Sequence, residues 1–537
     1  MTTRRISGSA TLGLSLVLLT VPALLLLGRF LQHDDAGASG ASSVPTTPTV
    51  LVPHAEPLSR PFKAADVVEL ARQLSTAPPR PRQPVTPGLE KLDYVQYRGI
   101  QFRIDHAVWG KERSPFRLDL LPAGFVYQSP VTVSVVEDGV ARDVGADPDM
   151  FLLRNEVPKE LHGKPLSLSG FRLRTLLNSR DKWDEFIVFQ GASYFRAVGR
   201  GQWYGLSARG LALNTGEPQG EEFPAFTQFW IEKPEPRATS IVIHALLESA
   251  SVTGAYRFTV SPEQQTTMDV EFTLFPRVDL RNVGIAPLTS MFLFDGSNHQ
   301  RFDDFRDRVH DSDGLLFTGK GGEFVWRQLA NPRNLQISYF SDTQPQAFGL
   351  MQRARRLAEF QDLEAHYELR PSAWVEFTGE SKGAPGPLRL IEIPTSNETN
   401  DNIVAFWQPR DPLPAGRPYS GAYRLSWTAE SVVKQPLGRV VSTRLGSTFK
   451  GDRKLMVLDL EGAGTKAEDL VLEVAASSGQ VVHPVVQSNP AVRGLRATFE
   501  FDPGNAPYIE FRAVVRKNAK GGGKPVSETW LYRWTAS

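Results

Sequence analysis

The 537-residue sequence contains no cysteine, so disulfide frameworks, thiolate zinc sites and cysteine nucleophiles are excluded. It also lacks a charge excess of either sign: 60 Lys and Arg against 59 Asp and Glu leave a formal net charge of +1. A nucleic-acid binder carries a basic surplus or basic runs, and this chain has neither. An extended apolar run occurs once, from Ala10 to Gly28, behind Arg4 and Arg5. As a helix it would span about 28 Å, close to the ~30 Å hydrocarbon core of a bilayer. Residues 1–30 therefore read as either a long signal peptide or an uncleaved inner-membrane anchor. Both readings keep the two arginines cytoplasmic and export the remainder. Residues 31–59, dominated by Ala, Ser, Gly, Thr and Pro, read as a flexible linker.

What is present favours β structure. The 44 Gly, 40 Pro and 10% aromatic residues suit a turn-rich sheet protein, and 41% hydrophobic content over this length can fill more than one core. One amphipathic helix is expected over Ala64 to Leu74, because Val67, Leu70, Ala71 and Leu74 share a face. Beyond it a period of two takes over. Met268, Val270, Phe272 and Leu274 alternate with polar residues, as do Tyr256, Phe258 and Val260, which predicts a hairpin. The pattern predicts a large β-sandwich over residues 60–430. Residues 431–537 carry strand-like runs at Leu455 to Leu460, Leu470 to Val474, Val481 to Val486, Leu495 to Phe501, Ile509 to Val515 and Trp530 to Trp534. Six or so strands in this length predict an immunoglobulin-like sandwich, without its usual disulfide. The boundary is expected within Ala429 to Thr443.

Two polar clusters could carry chemistry. The first runs from Asp303 to Gly314 and includes Arg306, His310, Asp311 and Asp313. A solvated turn is its bland reading. A calcium loop is a poor fit, since the glycine and closing glutamate that such a loop needs are missing. The second cluster places Glu392, Glu398 and Asp401 ahead of an apolar strand, Ile403 to Trp407, and loop carboxylates fixed by a rigid strand are a common way to build a site.

These residues also carry a resemblance. His310-Asp311-Ser312-Asp313-Gly314-Leu315, Phe348-Gly349-Leu350-Met351-Gln352-Arg353, Arg370-Pro371-Ser372, Glu392-Ile393-Pro394-Thr395 and Asp401 through Trp407 resemble the periplasmic glucan biosynthesis proteins of types G and D. So do Gly191 to Arg196 and Tyr204 to Leu211. The resemblance implies a galactose-mutarotase-like β-sandwich followed by the immunoglobulin-like one, a periplasmic location and action on β-1,2-glucan. It implies an inverting glycoside hydrolase or a transglucosylase, with Asp401 as general acid, Asp311 as general base and Glu398 as the acid's neighbour. Tyr367 matches a cleft tyrosine. Arg370, Tyr194, Arg196, His310, Trp326 and Trp407 are the further candidates for holding sugar, although core packing explains each tryptophan equally well. Asp313 is a reserve base. No metal or organic cofactor is required. The alternative is a non-catalytic glucan-binding partner of a membrane glucan synthase. One departure stands out: Ala354 and Arg356 occupy positions that are usually acidic in that family.

Overall fold

A computed structural model describes residues 59–341, 346–429, 435–463, 466–518 and 523–536. The expected export segment and nearly all of the expected linker lie outside the described residues. Ser59, the last residue assigned to the linker, begins a strand, Ser59–Pro61, that pairs with Val140–Asp143. Among the described residues no helix is long and apolar enough to cross a membrane.

The amphipathic helix forms over Ala64–Ser75, with Val67 and Ala71 buried against Trp230, Leu246 and Phe275. Its carbonyl at Ala71 accepts a hydrogen bond from Thr253 Oγ1 at 2.6 Å, which fixes the helix to the outer sheet. The hairpin also forms, as strands Val252–Pro262 and Thr266–Pro276 with Val260 opposite Met268. Its alternation is legible in the burial: Met268, Val270, Phe272 and Leu274 are inside, while Asp269 and Glu271 are exposed.

The chain is all-β in architecture, as expected, and builds two sandwiches. A fifteen-stranded path faces a ten-stranded sheet. Rings from the two layers interlock between them. Phe189 of the ten-stranded sheet meets Phe226, Phe229 and Phe258 of the other at centroid distances of 5.2 to 6.2 Å, and Phe195 meets Phe258 at 5.4 Å. Such interdigitation across facing sheets is what holds a sandwich together.

Among the described residues the C-terminal sandwich has seven strands. Arg439–Ser447, Lys454–Glu461, Gly494–Asp502 and Gln480–Asn489 form one sheet, and Leu470–Ala476, Tyr508–Lys517 and Thr529–Thr535 supply the other. All six expected strands are present with longer ends, and Arg439–Ser447 is the one the pattern did not reveal. The second sheet is not separate from the first domain. Thr529–Thr535 pairs in parallel with Phe324–Gln328, matching Val325 to Thr529 and Trp326 to Trp530, so the fifteen-stranded path runs through both sandwiches.

Side chains reinforce that seam. Glu528 is fully buried and receives Arg353 at 2.5 and 3.0 Å, the backbone N–H of Val440 at 2.8 Å and Gln435 Nε2 at 2.8 Å. The Arg353 guanidinium also lies 3.5 Å from the centre of the Trp326 ring. Removing one member of a buried, hydrogen-bonded ion pair leaves the other charge stranded, at about 3–5 kcal/mol. Glu528→Ala is expected to lower the urea midpoint by an amount of this order. Arg353→Met combined with Glu528→Leu is expected to recover much of it, and equilibrium unfolding curves of the two variants check the pair.

Candidate active site

Asp311 and Asp401 are fixed to one short stretch of chain. The backbone N–H of Asp311 donates to the carbonyl of Met291 at 2.8 Å. Next to it, the side chain of Asn402 brackets Phe292, accepting from its N–H at 2.8 Å and donating to its carbonyl at 3.0 Å. Strand register repeats the arrangement, with Phe292 opposite His310 on one flank and Ser290 opposite Ile403 on the other. A buried pair, Ser290 Oγ and Ser312 Oγ at 2.9 Å, closes the junction. Residues far apart in sequence are thus held together by backbone bonds, which lose their geometry less readily than long side chains do.

The two carboxylates sit in different environments. Asp311 is buried in an ion pair with Arg370, which donates through Nη1. That guanidinium is itself held by the carbonyl of Ala365, at 3.2 Å from Nε and 3.1 Å from Nη2, and lies 4.1 Å from the Tyr367 ring centre. Its aliphatic part packs on Gly205, where any Cβ would fall 2.8 Å from that of Arg370. Asp401 has a looser partner, Arg196 Nη2 at 3.4 Å. Burial above all lifts the Asp401 carboxyl above its ordinary value; the Asp311 charge adds to this, against Arg196, Arg209 and Arg370. Tyr194 lies beside it, its hydroxyl pushed up by burial and acted on by Asp401, with the Arg209 guanidinium 4.6 Å from its ring centre.

Glu398 is engaged by a guanidinium. It binds Arg306 Nη2 at 2.6 Å, and the groups acting on Asp401 are burial, the three arginines and Asp311. Arg306 also meets Asp362 at 2.7 Å and Asp304 at 2.8 Å. The acidic loop that sequence spacing likened weakly to a calcium loop is therefore organised around a guanidinium already in place. Among the described residues no group of three or more His, Asp and Glu could hold a metal ion. Asp362 accepts from the N–H of Ala365, whose carbonyl holds Arg370, so a bonded chain leads from Glu398 through Arg306 to Asp311.

The family model for the periplasmic glucan biosynthesis protein MdoG matches residues 62–534. The chain belongs to the periplasmic glucan biosynthesis protein family. It is 45% identical over 511 residues to glucans biosynthesis protein G of Shewanella sp. (strain MR-4), covering 92% of this chain and 93% of that one. It is 46% identical over 479 residues to glucans biosynthesis protein G of Vibrio cholerae serotype O1, covering 88% and 87%. Among solved structures, a GH36 alpha-galactosidase from Geobacillus stearothermophilus matches 48% of this chain and 39% of its own at 10% identity and a TM-score of 0.23. A galactose mutarotase related enzyme from Lactobacillus acidophilus matches 46% and 99% at 9% identity and 0.21.

In this periplasmic glucan biosynthesis family member, Tyr194, Arg196, Tyr367 and Arg370 gather around the two aspartates, while three expected contacts lie elsewhere. His310 is fully buried, stacked on Phe292 at 5.4 Å and edge-on to Phe360, and burial holds its imidazole below the ordinary value. Trp326 is 1% exposed in the core shared with the C-terminal sandwich, and Trp407 is 3% exposed against Phe377 in the main core. None of the three offers a face to a sugar here. Asp313 is a clamp, accepting from the N–H groups of Arg353 at 2.5 Å and Ala354 at 2.9 Å.

Sequence reasoning passed over Trp203, which is 40% exposed and packs at 4.6 Å on His366, directly beside Tyr367. Its position immediately before the quoted Tyr204-Gly205 motif was the available signal. It also passed over Arg209, fully buried, bonded to Glu221 at 2.5 Å and Thr289 at 3.1 Å, with Nη2 meeting no protein acceptor. The family departure resolves simply. Ala354 is packed with Met291, Phe360 and Tyr367, and Arg356 is on the surface.

The raised Asp401 pKa has a thermodynamic consequence. The folded protein binds that proton more tightly than the unfolded chain does, so stability falls as pH climbs from the ordinary carboxylate value, about 3.9, through the raised one. Asp401→Asn removes that slope. The variant is expected to gain stability relative to the unsubstituted protein as pH rises from about 4 to neutrality, checked by thermal unfolding at a series of pH values. A pH-independent difference contradicts this assignment.

Proposed function

We propose that the chain acts on β-1,2-glucan in the periplasm by an inverting mechanism, as an endo-hydrolase or a transglucosylase, with Asp401 as acid and Asp311 as base. The observation that carries this is the asymmetry of the pair. One buried carboxyl is pushed toward its protonated form and the other is ion-paired with a guanidinium, both fixed to the Met291–Phe292 segment. Pairs of carboxyl groups whose environments differ in this way divide acid from base roles.

In the proposed reaction Asp401 gives its proton to the glycosidic oxygen as the bond to C1 breaks. A water, or the hydroxyl of an acceptor sugar in transfer, attacks C1 from the opposite face and loses its proton to Asp311, directly or through a relay. The product carries the inverted configuration. Arg196 supplies a donor beside the leaving oxygen, and Tyr194 and Trp203 offer ring faces, whereas Arg209 and Tyr367 are buried and act through Tyr194 and Arg370. Arg370 orients Asp311, and Glu398 orients the Arg306 loop rather than touching the acid.

A second reading has its own support. Both aspartates are arginine-paired, an arrangement that serves equally in a groove that binds glucan without cutting it and presents it to a membrane synthase. Incubation of residues 31–537 with linear β-1,2-glucan separates the two. Shortened or rearranged products, analysed by mass spectrometry and NMR, are expected. Asp401→Asn and Asp311→Asn are each expected to lower the rate by about 10²–10⁴-fold, the usual contribution of a general acid or base. Binding without products, unchanged in both variants, supports the second reading instead.

A further inference from the structure

A cavity of about 410 Å³ lies away from this cluster, at the seam between the sandwiches. It is bounded by Gln336–Phe340, the terminal strand of the ten-stranded sheet, and by Leu470–Ala476, Tyr508–Lys517 and Thr529–Thr535 of the C-terminal sandwich. Its volume lies within the range of small-molecule sites, roughly 300–1,000 Å³.

The chemistry of the wall narrows the ligand. Each of its three arginines already has a carboxylate: Arg327 with Glu392 at 2.9 Å, Arg512 with Glu323 at 2.5 Å, and Arg533 with Glu510. An anion would have to displace a glutamate to bind here. A neutral polyol need not, because each hydroxyl can donate to a carboxylate and accept from a guanidinium at once. Ser338 lines the same space, is 7% exposed, and its Oγ meets no partner. A buried hydroxyl left unbonded is costly, and a ligand hydroxyl would satisfy it. Phe340, Ala475, Ala476 and Leu531 supply the apolar surface that the C–H face of a pyranose requires.

We propose that this seam cavity is a second saccharide site, holding a neutral segment of the glucan at a distance from the residues that would cut it. The proposal rests on the reading above that the substrate is a neutral glucan. A site of this kind raises the local concentration of chain ends for the cleft through tethering rather than through new contacts there.

Hydrogen-exchange mass spectrometry on the full chain tests it, using a linear β-1,2-gluco-oligosaccharide, with Asp401→Asn run in parallel to prevent turnover and inorganic phosphate as the anionic control. Two separate zones of protection are expected, one over residues 336–340 and 508–512, the other over 194–209 and 398–407. Leu531→Trp, which fills the cavity, and Arg512→Ala, on its exposed rim, are each expected to weaken the first zone at least tenfold in oligosaccharide concentration and to leave the second unchanged. Protection of the second zone alone overturns the seam site and leaves the proposed function standing. Protection of the first alone supports the seam site and counts against the cleft. Protection by phosphate overturns the neutral-ligand argument, and no protection in either zone overturns both readings.

Discussion

The geometry of the site rests on the backbone at Met291 and Phe292. A peptide carbonyl there fixes Asp311, and the peptide groups of the next residue are gripped by Asn402, the neighbour of Asp401. Because the bonds are made by main chain and a buried amide, the spacing of the two carboxylates follows from sheet register rather than from surface loops. The side chains around them are adjustable by comparison. Arg196 reaches Asp401 at 3.4 Å, long for an ion pair, while Arg370 is wedged between Gly205, Tyr367 and the Ala365 carbonyl. One partner is rigid and the other loose, in keeping with the different roles proposed for the two carboxylates.

Much of this architecture was legible in the sequence. Strict alternation at Met268, Val270, Phe272 and Leu274 specifies which face is wet, and the structure follows it residue by residue. Motif residues around Asp311 and Asp401 mark both positions as candidates, and the structure brings Asp311 and the neighbour of Asp401 to the same Met291–Phe292 segment. The tryptophans were not, and the reason is physical. The strand Ile403–Trp407 is buried on both faces, so its burial has no period of two by which to tell an inward ring from an outward one. Trp326 was hidden differently, since its environment is completed by Thr529–Thr535, whose parallel pairing with Phe324–Gln328 no local pattern announces. The Arg306 partner of Glu398 was not legible, because it belongs to another loop and sequence carries no register between loops.

The two sandwiches are better described as one continuous sheet system than as beads on a tether. Trp326 is shared between the cores, Arg353 spans from the loop clamped by Asp313 to buried Glu528, and the neighbouring Arg355 donates to the Ser372 hydroxyl at 3.1 Å and to the carbonyl of Arg370. The stretch from 353 to 355 therefore touches the domain seam with one side chain and the support of Arg370 with another. A disturbance at the seam has a short, bonded route to the Asp311 ion pair.

That continuity also bears on how the polypeptide reaches its final state. Phe324–Gln328 is flanked on one side by Gly314–Thr318, but its other neighbour, Thr529–Thr535, is made far later. While the chain emerges from its N-terminal end, that border stays bare, a ready template for pairing with a stray strand. Completion of that sheet is thus gated by arrival of the last strand, and chains held short of it are the species most open to stray pairing.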